Sequence, residues 1–155
     1  MKRFLFLLAA VWIVLALAWA DDATAEEPRP IGRATVSVRH GDLNGRQSPD
    51  VHSQKVAWFQ NGDVIDVYEI DGEWALTDGG EYGTCWVNIG FLTTEDAGTY
   101  TVTANGRVRV RKTPDGDAVG WLRPGQQVDV LCVVGGWART GKGWVMAEYM
   151  ERRDD

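Results

Sequence analysis

Short runs of alternating hydrophobic and polar residues recur along the chain after residue 31. In the clearest run, 107–111, Val108 and Val110 alternate with arginines, which predicts a strand with one buried face and one face in water. The run 128–132 repeats the alternation, with Asp129 on the outer face. No ten-residue segment after residue 20 spaces its apolar residues as an amphipathic helix would. The pattern therefore predicts an all-β protein.

Glycine-rich turns separate the predicted strands. Gly135-Gly136 precedes a tryptophan, and the segment 141–143 is typical of a hairpin turn. The segment 64–68 has two possible buried faces, and its alignment with a later segment favours Ile65 and Val67 as the core face.

The chain contains an internal duplication. Residues 56–77 align without a gap on residues 119–140, an offset of 63, and nine of the 22 aligned residues are identical. Downstream the offset falls to 58, and upstream Val36–Arg39 aligns on Val108–Arg111 with an offset of 72. This alignment predicts that the first copy has nine extra residues after Arg39 and five extra in 79–84. The tryptophans after residue 20 form three matched pairs: Trp58/Trp121, Trp74/Trp137 and Trp86/Trp144.

The first twenty residues have the features of a secretory signal peptide. Lys2 and Arg3 precede a 17-residue apolar stretch, 4–20, which ends in the small-x-small sequence Ala18-Trp19-Ala20. The alternative is an uncleaved membrane anchor, because 17 residues reach the lower limit for a membrane-spanning helix.

The predicted organisation is a signal peptide helix over 1–20, an acidic linker over 21–31, and two copies over 32–95 and 96–152. Charge is uneven: the chain carries −6 in total, with −3 in 21–30, −6 in 31–95 and +1 in 96–155. An acidic protein of this kind is a poor general binder of nucleic acid, since phosphate contacts need clustered Lys and Arg. We therefore expect no nucleic-acid partner.

The second copy resembles the bacterial SH3-like (SH3b) domain family. The resemblance rests on motifs that cover almost the whole copy, and the first copy follows the same path with Cys85 in place of a glycine, Asn61 in place of Pro124 and a long loop after Arg39. The motifs are Val108–Arg111, Val119–Val130, Gly136-Trp137, Gly141–Val145 and Tyr149-Met150.

The resemblance implies two tandem small SH3-like β-barrels, each of five or more strands. It also implies an accessory domain of exported or envelope proteins, whose ligand is often a cell-wall peptide or another protein. The family supplies no catalytic residues, so we expect a protein that is not an enzyme and needs no cofactor.

Exposed aromatic residues are the candidate ligand-binding residues, because a barrel this small cannot bury every tryptophan. We expect a shallow groove between the loop 40–55 and the turn 78–84, with Trp58 near it and Tyr82 as a further lining residue. The alternative is that all six tryptophans are structural. The candidates are Trp58, Trp74, Tyr82, Trp121 and Trp137.

A basic stripe in the second copy has two possible partners. Its side chains would face the acidic first copy or an anionic polymer, and the simpler alternative is a solvated sheet face. The stripe consists of Arg107, Arg109, Arg111 and Lys112.

The remaining reactive residues are few. Cys85 and Cys132 would form a disulfide between the copies in an oxidising compartment, or remain buried thiols. A cysteine–histidine hydrolase needs both groups side by side, and no further domain remains to hold them. His40 and His52 lie in one predicted loop and are too few for a metal site, so no metal is expected.

These observations favour an exported, non-catalytic SH3-domain protein that binds a cell-wall peptide or an envelope protein. We expect it to be secreted or periplasmic, or associated with the cell envelope. The alternatives are a membrane-anchored structural protein of the envelope and, less favoured, a cell-wall hydrolase accessory with its own activity. The sequence leaves the oligomeric state open.

Overall fold

The computed structural model describes residues 28–153, and the expected signal peptide and most of the acidic linker lie outside this range. The all-β prediction is confirmed: the described residues form 15 strands, with only three single-turn 3-10 helices between them. The described part of the chain includes no helix long and apolar enough to cross a membrane.

The first copy is built from eight strands in two sheets. One sheet has the order β4-β1-β8 and the other β3-β2-β7-β6-β5, all with antiparallel neighbours. The strands are β1 (Gly32–Val36), β2 (Leu43–Arg46), β3 (Lys55–Phe59), β4 (Val64–Val67), β5 (Glu69–Asp71), β6 (Trp74–Asp78), β7 (Thr84–Asn88) and β8 (Leu92–Thr93). The 3-10 turns η1 (Gly80–Tyr82) and η2 (Ile89–Phe91) flank β7.

The second copy forms one seven-stranded sheet of order β11-β10-β14-β13-β12-β9-β15. The long strand β12 joins its two halves, pairing with β9 near its start and with β13 near its end. The strands are β9 (Gly98–Val102), β10 (Val108–Arg111), β11 (Ala118–Leu122), β12 (Gln127–Val134), β13 (Trp137–Thr140), β14 (Gly143–Met146) and β15 (Met150–Arg152), with η3 (Ala147–Tyr149) before the last.

The expected closed barrels are not present as continuous hydrogen-bonded sheets. Among residues 28–153, backbone pairing in the second copy ends at the edge strands β11 and β15, which do not pair with each other. In the first copy the chain leaves its strand at Tyr68, so the counterpart of β12 is divided into β4 and β5 and the copy separates into two sheets.

The two copies share one pattern of strand pairing, which confirms the duplication. Their registers also confirm the offsets of 63 and 58: Trp74 lies opposite Asn88, as Trp137 lies opposite Met146.

The upstream alignment was wrong. The counterpart of β10 is β2, because Leu43 pairs with Phe59 as Val108 pairs with Leu122, which sets an offset of 65 in place of 72. The predicted nine-residue insertion after Arg39 therefore does not exist at that place.

A large and a small residue have traded places between the copies, and this explains why the sequence alignment missed the register. Gly45 occupies the position of Val110, and a Cβ atom at Gly45 would lie 2.6 Å from the Cys85 sulfur. In the second copy the bulk is reversed, since a Cβ atom at Gly143, the counterpart of Cys85, would lie 2.9 Å from a methyl group of Val110. Each copy therefore places one large and one small residue at this contact.

The predicted core faces are confirmed. Ile65 and Val67 are buried while Val64 is exposed, and Val130 and Cys132 are buried with Val128 packed against the same apolar cluster as Val130. This alternation follows from the two-residue period of a strand.

The copies also share a hydrophobic core. One cluster joins first-copy residues such as Val36, Val67 and Val87 to Cys132, Val134, Trp137 and Trp144 of the second copy. The second cluster lies within the second copy. The buried faces of the two copies therefore stabilise each other, which suits units too small to bury much surface alone.

Polar contacts fix the arrangement of the copies. The fully buried Trp144 donates its indole N–H to the Gly72 carbonyl at 3.2 Å. Arg139 forms a two-pronged ion pair with Glu73 at 2.6 Å, and its guanidinium carbon lies over the Trp144 ring, 5.8 Å from the ring centroid. Arg139, rather than a residue of the basic stripe, forms this ion pair between the copies.

Candidate functional site

A groove of about 330 Å³ on the second copy brings its two exposed aromatic residues together with three of its arginines. It lies on the outer side of β10 and extends to β11, β13, the end of β14 and η3. The side chains that give it character are Arg107, Arg109, Arg111, Trp121, Trp137, Met146 and Tyr149.

Strand periodicity places the arginines in the groove. Val108 and Val110 are buried, so the alternating residues of β10 must face outward. Arg109 lies opposite Trp121 in the β10–β11 ladder, and its guanidinium carbon is 5.6 Å from the centre of the Trp121 ring. This distance lies within the range of a cation–π contact.

Arg111 is fixed by a loop. It donates a hydrogen bond from one terminal nitrogen to the Gly116 carbonyl at 2.6 Å, and the loop is closed by a bond from the Lys112 amide to Asp117. Lys112 itself is exposed and does not line the groove. Three of the four residues of the predicted stripe are therefore brought together in one site.

The aromatic residues of the groove differ in exposure. Trp121 is 53% exposed, whereas Trp137 is 8% exposed and belongs to the core shared by the copies. Trp137 is thus held in place as one wall of the groove, and about half of Trp121 is exposed to solvent.

Met146 and Tyr149 complete the opposite side, and neither was a predicted site residue. Both are partly exposed large apolar residues, and a hydrogen bond with Glu148 raises the pKa of the Tyr149 phenol. The available signal was the alignment of 91–92 on 149–150, which placed an aromatic residue after the last long strand of each copy.

Two of the residues expected to line a groove in the first copy are exposed on elements that lie near each other. Trp58 is 58% exposed on β3 and Tyr82 is 57% exposed on η1, which packs near β3. Trp74 is half-buried. Trp58 is the counterpart of Trp121, since Asn44 lies opposite it as Arg109 lies opposite Trp121.

The two cysteines are buried and free, which is the buried-thiol alternative rather than the disulfide. Burial, assisted by the Asp78 carboxylate, raises the pKa of the Cys85 thiol to about 11. Burial also raises the pKa of Cys132 to about 11. Both thiols are therefore protonated at neutral pH and are weak nucleophiles.

The histidines lie away from both thiols in sequence and are exposed. His40 and His52 flank β2 in surface loops, where the His52 amide donates to the Asp50 carboxylate. Within residues 28–153 no three side chains of the metal-binding types are grouped so that they could hold a metal ion.

Comparison with known proteins gives only distant likenesses. No protein-family profile matches the chain, and no curated protein matches it. Among solved structures it is similar to NlpC1 from Trichomonas vaginalis, with 14% identity, a TM-score of 0.36 and coverage of 81% of this chain and 47% of that one. NlpC2 from Trichomonas vaginalis gives 11%, 0.35, 78% and 48% for the same quantities.

A third similar structure is the endolysin LysPBC5 CBD. It shares 16% identity with a TM-score of 0.38, and the match covers 80% of this chain and 95% of that one. The chain spans about half the length of the two Trichomonas proteins. At these identities and TM-scores the likenesses support no conclusion about function.

Proposed function

We propose that this chain is an exported, non-catalytic binding protein with two SH3b-like units, which takes a cell-wall peptide or an envelope protein in the groove of the second copy. The observation that carries the proposal is the groove itself, where Trp121 presents an exposed ring beside Arg109 and the buried Trp137 forms the wall. Aromatic and arginine side chains are the residues that dominate binding energy at protein interfaces.

The rigidity of the groove supports binding. Its floor is the β10–β11 ladder, its Trp137 wall is held in a core, and Arg111 is tied to Gly116. Side chains that are already ordered lose little conformational entropy when a ligand arrives. The reactive residues give less support to catalysis, because Cys85 and Cys132 are buried thiols with raised pKa values.

A retention assay tests the proposal. Purified protein is mixed with insoluble peptidoglycan and, separately, with immobilised envelope extract, and the retained fraction is compared between the native protein and Trp121→Ala. We expect the substitution to lower affinity about tenfold or more, as loss of a central interface aromatic does. Because Trp121 is 53% exposed, the variant should still fold, which circular dichroism checks.

Trp58→Ala is the matched control, since Trp58 is the structural counterpart in the first copy and is 58% exposed. An equal loss of retention in both variants would indicate that both copies bind the ligand. Native protein that is retained on neither material would refute the proposed function. Release of soluble fragments from peptidoglycan would refute its non-catalytic part, and a protein beginning at Met1 in the exported fraction would favour the membrane-anchored alternative.

A further inference from the structure

The two copies share an aromatic frame but differ in charge around it. Strand pairing makes Arg109 equivalent to Asn44, because each lies opposite the exposed tryptophan of its own copy. Arg111 is likewise equivalent to Arg46, because these lie opposite Trp144 and Trp86.

This register gives a direct charge comparison over four positions. The second copy has Arg107, Arg109, Arg111 and Lys112, a formal charge of +4; the first has Asp42, Asn44, Arg46 and Gln47, a formal charge of 0. A copy with an exposed tryptophan on its surface does not need these positive charges in order to fold. The difference therefore points to different ligands rather than different stabilities.

The guanidinium groups of the groove are available to a ligand. Within the described residues, Arg107 and Arg109 form no ion pair, and Arg111 uses one terminal nitrogen on Gly116. The Arg109 guanidinium lies over the Trp121 ring and forms no hydrogen bond within the described residues, so its N–H groups are available to a ligand. A planar fork of donors fits a carboxylate with two parallel hydrogen bonds.

The apolar residues that line the groove indicate which kind of group the ligand carries next to its carboxylate. Val108, Trp121, Met146 and Tyr149 surround the arginines with apolar surface. A phosphodiester polymer would leave that surface without an apolar partner, whereas a peptide supplies an apolar side chain next to a carboxylate. The groove volume, about 330 Å³, lies at the small end of ordinary ligand sites and suits a short segment.

We propose that the second-copy groove selects a short peptide segment in which a carboxylate stands beside an apolar side chain, and that the equivalent surface of the first copy lacks this selectivity. The inference rests on the proposed function, because it assumes that the groove is the binding site.

The test uses two probes that differ only in charge. Acetyl-Ala-Leu is titrated with a free carboxylate and as its carboxamide, and binding to the full protein is followed by calorimetry at low and moderate salt. We expect the acid to bind about tenfold more tightly than the amide, as loss of one charge-assisted contact predicts. Added salt should reduce this preference.

Substitutions locate the selectivity. Arg109→Asn installs the first-copy residue and should bring the acid and the amide to equal affinity. Arg123→Asn is the matched control: it removes the same charge from an exposed position of the same copy outside the groove, and the preference should persist. The reciprocal variant Asn44→Arg should create a weak preference for the acid in the first copy.

The outcomes separate the inference from the proposed function. Equal affinity of acid and amide for the native protein, or no binding of either, overturns the inference, even where peptidoglycan or envelope extract still retains the protein through Trp121. Inorganic phosphate that displaces the acid at equal concentration overturns it in favour of a phosphate-bearing polymer.

Discussion

Replacing Gly45 with valine should destabilise the first copy, although the second copy has valine at the equivalent position. A Cβ atom at Gly45 would lie 2.6 Å from the Cys85 sulfur, 3.0 Å from the Ala57 Cβ and 3.1 Å from a ring carbon of Phe59. Overpacking of a buried site costs about 1–3 kcal/mol. With three close neighbours in a paired strand, we expect a loss near the upper value, about 3 kcal/mol.

A second substitution should relieve this strain. Cys85→Gly alone removes a buried side chain and introduces a flexible residue in a strand, a loss of about 2 kcal/mol. Together, Gly45→Val and Cys85→Gly recreate the Val110–Gly143 contact of the second copy. We therefore expect the double variant to lose about 2 kcal/mol rather than the additive 5, a coupling of about 3 kcal/mol.

Urea unfolding of the native protein and the three variants, followed by tryptophan fluorescence, measures the coupling. Gly106→Ala serves as a control for glycine replacement, because nothing lies within 4 Å of a Cβ atom there. Additive losses in the double variant would refute the steric explanation, and with it the reason given for the hidden register. If the double variant is still less stable than the native protein, adding Ala57→Gly tests the contact with Ala57, because the second copy has Gly120 at that position.

Two further predictions concern buried polar groups and thiols. Thr140→Val should lower the free energy of unfolding by about 1–2 kcal/mol, because the Thr140 hydroxyl donates to the Gly143 carbonyl and accepts from the Lys142 amide. Thr77→Val should be neutral or stabilising, since the buried Thr77 hydroxyl has no partner in the structure. Equal losses of stability in urea unfolding of the two variants would contradict this. The thiols of Cys85 and Cys132 have folded-state pKa values raised from 9.0 to about 11, so their contribution to stability is complete below pH 9.0 and is lost as the pH rises through 11. Thiol titration should show slow reaction at pH 7 that becomes fast in denaturant, and rapid reaction of the folded protein would disprove it.

Much of the fold could be predicted because strand periodicity and repetition are local properties of the sequence. The two-residue alternation identified the buried faces of β10 and β12, the alignment of the copies identified that of β4, and the recurrence of tryptophan supported the duplication. The upstream register failed for a local reason as well. Val36 and Val38 have the same alternating spacing as Val108 and Val110 of β10. The strand that corresponds to β10 is β2, which has Gly45 at the position of Val110.

The candidate site was predicted in part. The basic stripe and Trp121 were recognised as candidates, but the expected groove was assigned to the first copy, beside Trp58 and Tyr82. The groove of the second copy needs Met146 and Tyr149, which come from β14 and η3. No spacing rule brings those residues beside β10, because the pairing of β10 with β14 decides it.

The sequence by itself determined the all-β class, the doubled unit and the outward direction of the arginines, since each depends on neighbours within one strand or on a repeated pattern. Only the tertiary structure decided that the copies share a core, with Trp144 buried against Gly72 and Arg139 paired with Glu73. It also decided that three arginines meet Trp121, Trp137, Met146 and Tyr149 in one groove. Such contacts join residues far apart in the chain, and their formation depends on how the strands pack together.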